Sequence, residues 1–183
     1  MTASRGNEEA VAQWYVMRDL KRINAREPAY KLLEGNKMEV FVPKVSRLCV
    51  RQGKRIRVEV PFIQDLLFVH ETRMNLDPIV EKTPTLQYRW LRNTWREPMT
   101  VPDADMERFI HAVNASDNLT YYLPGELTSD MYGRAVRIVG GYLNGYEGKL
   151  LTVRGSKVKR LLVELPGFFS VGVKVEPEYI QLL

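Results

Sequence analysis

Five cations crowd into fourteen residues in the first third of the chain. Arg47, Arg51, Lys54, Arg55 and Arg57 fall within residues 45–58, where there is no acid. Guanidinium and ammonium groups at that density suit phosphate, which they bind through charge and hydrogen bonds without reading sequence. Leu48, Val50, Ile56 and Val58 interleave with them around Gln52-Gly53. That pattern predicts a hairpin. Its outgoing strand would show Arg47 and Arg51 on one face and its return strand Arg55 and Arg57, with the four apolar residues beneath. A second cluster, Lys157, Lys159 and Arg160, reads equally well as a solvated hairpin tip. Catalytic chemistry has little material. His70, His111 and Cys49 stand apart, and neither histidine has a nucleophile motif beside it. No Walker loop, dinucleotide fingerprint or zinc-protease motif occurs. Two histidines and one cysteine are too few for an ordinary zinc site. The reading is no catalytic residue, no metal and no cofactor.

The elements that must carry these cations follow from periodicity. Trp14 to Met17 is a run of β formers. Ala25, Ala29, Leu32 and Leu33 then mark one helix face, with Asn24 and Glu27 as a capping box, Pro28 in the first turn and Gly35-Asn36 as the stop. Val40 to Val42, Leu66 to Val69, Tyr88 to Leu91 and Met99 to Val101 read as strands. Asp103 should cap a helix that buries Met106, Phe109, Ile110 and Val113. From Gly133 onward short alternating runs, Val136/Ile138, Leu151/Val153, Leu161/Val163 and Val171/Val173/Val175, are punctuated by glycines, the pattern of a small β-barrel.

Charge divides the chain in the same way. Residues 1–114 carry a surplus of four positive charges and residues 133–183 another four, while residues 115–132 carry three acids and no base. The expected organisation is a polar extension at 1–12, an α+β sandwich domain at 13–114, a linker at 115–132 and an all-β domain at 133–183. The two domains should move semi-independently. The composition, 45% hydrophobic and 27% charged, is that of a globular protein rather than a disordered one. A single cysteine excludes an internally stapled scaffold. With no signal-like h-region and no long apolar run, the expectation is a soluble intracellular protein that does not engage membranes.

Two segments carry a family resemblance. Gly133 to Gly155 reads GRAVRIVGGYLNGYEGKLLTVRG and resembles the KOW motif, with Val136, Ile138, Gly140, Gly141, Gly145 and Gly148 in its core pattern. The earlier block runs from Trp14-Tyr-Val through a helix, Glu39-Val-Phe-Val-Pro43, the basic hairpin and Leu67-Phe-Val. It ends in Val101-Pro-Asp-Ala-Asp-Met-Glu-Arg-Phe-Ile110 and resembles the NusG N-terminal domain. The last of these segments and the loop Trp95-Arg-Glu-Pro98 look most like the UpxY branch, the antiterminators of capsular polysaccharide operons.

The resemblance implies a fold, a NusG-like α/β sandwich followed by a small SH3-like KOW β-barrel that stays a barrel. It implies a cytoplasmic, non-enzymatic transcription elongation or antitermination factor. The RNA polymerase clamp would be gripped by Trp14, Tyr15, Ile63, Leu66 and Phe68. The basic hairpin would lie near the DNA of the transcription complex, with nascent RNA a further contact. The KOW domain would meet a ribosomal protein or termination factor through Leu165, Phe168 and Phe169. Two departures stand out. The family's Phe-Pro-Gly-Tyr is replaced by Ile63-Gln64-Asp65-Leu66, and its Ile-Phe pair ahead of a glycine by Leu165-Pro166-Gly167. The alternative is a ribosome-associated KOW protein that binds rRNA.

Overall fold

The computed structural model describes residues 11–21 and 27–183. Asn24 and Ala25, with the predicted capping box, lie outside the described residues, as does most of the extension 1–12. The chain divides into two compact units, the first ending at Asp103 and the second running from Ala104 to Leu183.

The first unit contains an antiparallel sheet of β1 (Gln13–Asp19), β2 (Glu39–Phe41), β5 (Leu66–Glu71), β6 (Leu86–Tyr88) and β7 (Thr100–Val101). The strand order is β2-β5-β1-β6, with β7 also on β1. Between β2 and β5 in the chain, β3 (Lys44–Arg51) and β4 (Lys54–Pro61) form a separate two-stranded ribbon. β1 is central because Trp14 to Met17 is apolar on both faces. Alternation along a strand sends neighbours to opposite sides. Tyr15 and Met17 of β1 and Leu67 and Val69 of β5 therefore join a core with Ala29 and Leu33 of α1 (Ala29–Gly35) and Leu76 of α2 (Arg73–Lys82). Trp14, Val16 and Phe68 lie on the other face of the sheet.

α1 begins at Ala29, whose N–H donates to the Asp19 carboxylate at 2.7 Å. It stops as expected at Gly35-Asn36, and Lys37 follows in the left-handed region at φ 61°. The helix α2 has no counterpart among the elements read from the sequence, and Pro78 sits inside it. It starts where the Thr72 hydroxyl accepts the Asn75 N–H, an N-cap that supplies one of the orphan donors with a partner.

The second unit contains the last eleven residues of α3 (Asp103–Asn114) and a six-stranded antiparallel sheet. Its strands are β8 (Leu119–Tyr122), β9 (Tyr132–Ile138), β10 (Glu147–Leu151), β11 (Arg160–Leu165), β12 (Phe169–Lys174) and β13 (Ile180–Leu182). The order is β13-β9-β10-β11-β12-β8. Two expectations change. The pairing is an open path ending at β13 and β8, so the strands do not close into a barrel. The stretch 115–132 is also more than a connector. Leu119-Thr-Tyr-Tyr is β forming and pairs as β8 with β12, and Tyr121 is buried against Phe169, ring centres 5.9 Å apart. α3 buries Met106, Phe109 and Ala112, one residue round from the predicted stripe, and Phe109 meets Phe169 edge-on at 5.3 Å. Strands across residues 150–175 match the expected β form.

Candidate functional site

The ribbon grows out of the β2–β5 hairpin. Phe41 faces Phe68 in the sheet, and beyond it Lys44 faces Pro61 in the ribbon. Eight paired residues at about 3.4 Å each give an arm on the order of 27 Å long. Its tip, Gln52-Gly53, has φ of 50° and 75°, both left-handed, as a two-residue type I′ turn demands. Glycine takes that conformation without strain.

The turn decides the faces. Arg51 pairs with Lys54, so odd positions of β3 share a face with even positions of β4. One face holds Arg47, Cys49 and Arg51 with Lys54, Ile56 and Val58. The other holds Leu48 and Val50 with Arg55 and Arg57. The predicted charged face over an apolar underside is therefore replaced by two mixed faces. Both are open to solvent. Leu48 is 62% and Val50 68% exposed, and all five cations are exposed. Lys44 to Pro61 carries six bases and the single acid Glu59, a surplus of five, equal to that of the whole chain. Among the described residues, none of Arg47, Arg51, Lys54, Arg55 and Arg57 forms an ion pair.

The predicted apolar surface is split by the sheet. Trp14, Leu66 and Phe68 share one face and are buried. Tyr15 points the other way, into the core, edge-on to Tyr88 at 5.6 Å. Adjacent strand residues cannot share a face, so Tyr15 does not belong to that surface. Ile63 is half-buried in the turn before β5. The unusual Asp65 beside it has a use. Its carboxylate accepts from Arg18 Nε at 3.0 Å and from Arg89 at 3.5 Å, linking the turn to β1 and to the end of β6. Trp14 stacks on His70 at 5.1 Å, and His70 lies between Glu39 (3.4 Å) and Asp103 (3.7 Å). His111 Nδ1 is 3.0 Å from the Tyr146 hydroxyl. That hydroxyl donates to the Arg108 carbonyl at 2.9 Å, so the imidazole N–H is the donor to the phenol oxygen. Neither histidine faces a nucleophile. Among the described residues no group of three His, Cys, Asp or Glu is arranged to hold a metal, and no helix is long and apolar enough to cross a membrane.

The glycine pattern of the second unit performs two jobs. Gly140, Gly141 and Gly145 take φ of 103°, 66° and 84° in the turn after β9, where Gly140 N–H donates to Asn144 Oδ1 at 2.7 Å. Gly148 lies where a Cβ would come within 3.0 Å of the Leu162 carbonyl oxygen. Val136 and Ile138 are buried in β9. Leu165 and Phe169 form a cross-strand pair facing inward, so of the expected apolar knob only Phe168, at the turn, is partly exposed.

The fold also brings forward a site that residue patterns do not single out. Trp90 bridges to Pro98, and the loop between them holds Trp95, 84% exposed, with Arg96 placed 5.7 Å over its ring. Arg92 and Thr94 complete the segment Leu91-Arg-Asn-Thr-Trp-Arg96. An acid-free arginine–tryptophan cluster is the signal that the sequence offers for it. An open indole beside guanidinium groups provides a stacking surface and phosphate contacts together.

Among curated proteins no sequence matches the chain. The family comparison does meet it, over residues 12–110, where the sequence fits the family model NusG, described as Transcription termination factor nusG. The match spans the first sheet, its two covering helices and the ribbon and takes in more than half of the residues, and on that ground the chain belongs to the NusG family.

Proposed function

We propose that this NusG-family chain is an antitermination or elongation factor of the UpxY kind, which binds RNA polymerase and holds nucleic acid of the transcription complex with its ribbon. Family members are non-enzymatic transcription factors that bind RNA polymerase. The observation that carries the finer reading is the ribbon, where the formal surplus charge of the chain sits on exposed side chains that have no ion-pair partner among the described residues. Arg47, Arg51, Lys54, Arg55 and Arg57 take phosphates, and Trp95 adds a stacking surface. Polymerase contact falls to the partly exposed edge of the sheet face at Ile63, with Trp14, Leu66 and Phe68 buried behind it as its support. Asp65 holds that edge in place of the family's aromatic turn. The segment Val101 to Ile110 and the loop Trp95 to Pro98 support the UpxY branch and, with it, polysaccharide operons as targets. The second unit is read as a KOW unit whose Phe168 turn meets a ribosomal protein or termination factor. An rRNA-binding ribosomal protein leaves residues 12–110 without a purpose.

A factor that favours the elongating state does so only by its greater affinity for it, about 1.4 kcal/mol for each tenfold shift. The test is transcription by purified polymerase through a pause or terminator, with and without the chain. Arg51→Ala, Lys54→Ala and Arg55→Ala together should reduce read-through. They should also flatten the salt dependence of binding to an elongation complex, by about 0.7–0.9 in log–log slope for each phosphate no longer held. Read-through and slope equal to those of the unaltered chain would refute the reading.

A further inference from the structure

We infer that His70 is a proton-operated latch: once protonated, it draws Asp103 onto the first sheet and fixes the point from which α3 departs. The sheet register builds the site. Glu39 of β2 faces His70 of β5, His70 faces Trp14 of β1, and Trp14 faces Val101 of β7. Cross-strand partners project from the same side of a sheet, so the carboxylate, the imidazole and the indole stand in one row. The indole stacks on the imidazole, ring centres 5.1 Å apart and planes at 27°. Two residues beyond Val101 the chain begins α3, and there Asp103 comes back to the far nitrogen of the ring.

Both ring nitrogens face a carboxylate. Nδ1 is 3.4 Å from Glu39 Oε2, and Nε2 is 3.7 Å from Asp103 Oδ1. A neutral imidazole has one N–H and one lone pair, and an ionised carboxylate has only lone pairs. One of the two carboxylates therefore meets a lone pair whenever the ring is neutral, and only imidazolium donates to both. Both separations exceed the ~2.7–3.2 Å of a good N–H···O bond, and Nε2 is buried without a hydrogen-bond partner among the described residues. The latch stands ajar. The ring is mostly covered while both carboxylates are more than half exposed, so the acids have the room to close the gap. β1 brings the uncharged Trp14 to the ring. The next acid along β5, Glu71, is taken up at the start of α2, where it accepts the Thr72 N–H at 2.8 Å and Asn75 Nδ2 at 3.0 Å. Those bonds, the Thr72 N–H first, hold its carboxyl below the usual range.

Asp103 is the last residue of the first unit, and Ala104 opens the second. A hold on Asp103 therefore acts on the chain at the junction. The hold strengthens as pH falls through the range in which histidine titrates and is lost as pH rises. The latch shares no residue with the ribbon and needs no nucleic acid.

The test uses the full chain with Trp90→Phe and Trp95→Phe, which leaves Trp14 as the single indole. Imidazolium stacked on an indole acts on its ring as a cation and quenches its emission more than neutral imidazole does. Trp14 emission should therefore fall from about pH 8 to about pH 5.5. Amide protection factors are read over the same range at Met106 and Glu107, whose N–H groups close the first turn of α3. They should rise about two- to fivefold as the pH falls, the effect of an exposed ion pair. His70→Gln should abolish both responses. Asp103→Asn should keep the Trp14 response and lose the one in α3. His111→Gln, which removes the other histidine and lies on α3 itself, should leave both in place. Thermal unfolding checks that each variant folds. Trp14 emission that ignores pH, an α3 response that persists in His70→Gln or Asp103→Asn, or one that disappears with His111 would overturn the inference.

Discussion

The two cationic regions are built on opposite plans. The ribbon is regular, with eight cross-strand pairs whose cations fall on two open, mixed faces. The β10–β11 loop is irregular, and beside it lies a groove lined by Gly133, Arg134, Thr152, Ser156 and Lys159 among others. A regular arm presents its cations at fixed intervals and offers no enclosure. A groove limits what can enter and can therefore select. Charge density alone does not distinguish an open arm from a groove, whereas the backbone around it does.

The largest effect expected is on the scaffold of the second region. Phe169 packs against Phe109 and Tyr121 and is almost fully buried. Phe169→Ala should destabilise the second unit by about 3–5 kcal/mol. Calorimetry should show its transition moving to lower temperature. If the ribbon's salt slope fell in parallel, the two regions would not be independent. A smaller effect is expected at the ribbon tip. Gly53→Val forces a β-branched residue into φ near 75°, a cost of about 1–2 kcal/mol. Amide exchange should quicken along β3 and β4 and leave β10 and β11 unchanged. The smallest concerns Leu48 and Val50, both more than half exposed. Leu48→Ser with Val50→Ser should change stability by no more than about 0.5 kcal/mol and leave the salt slope intact. A drop in binding to the elongation complex at constant slope would show that the ribbon also makes apolar contacts.

Legibility in the sequence varies with how far each feature depends on distant partners. The ribbon is legible because alternation and Gln52-Gly53 are local. Its faces are not, because they depend on register, and Arg51 opposite Lys54 shifts the two strands by one position. The same alternation rule, applied to Trp14 and Tyr15, separates them from sequence alone. Pro78 hides α2, although Thr72 with Leu76, Ile79 and Val80 provides a cap and a stripe. The acidic neighbours of β8 hide it, because charge summed over 115–132 gives the look of a linker. Glycines and short strands suggest a barrel, but closure depends on whether the two outermost strands meet, and that is written in no local pattern. Of the site, the ribbon cations and the glycine turns are readable from residue types. The Trp95 loop reads only as a family mark, because exposure is a property of the folded chain.

The order of strands in the second sheet also sets a timetable. Tyr121 waits for Val171, fifty positions further on, and Val136 waits for Leu182. The first sheet has its last partner once Val101 reaches Trp14. At synthesis rates of about 5–20 residues per second, the eighty residues from Ala104 to Leu183 take on the order of 4–16 s. For that interval the ribbon is complete and the groove does not yet exist. The order in which the two surfaces appear on the nascent chain is therefore laid down by topology.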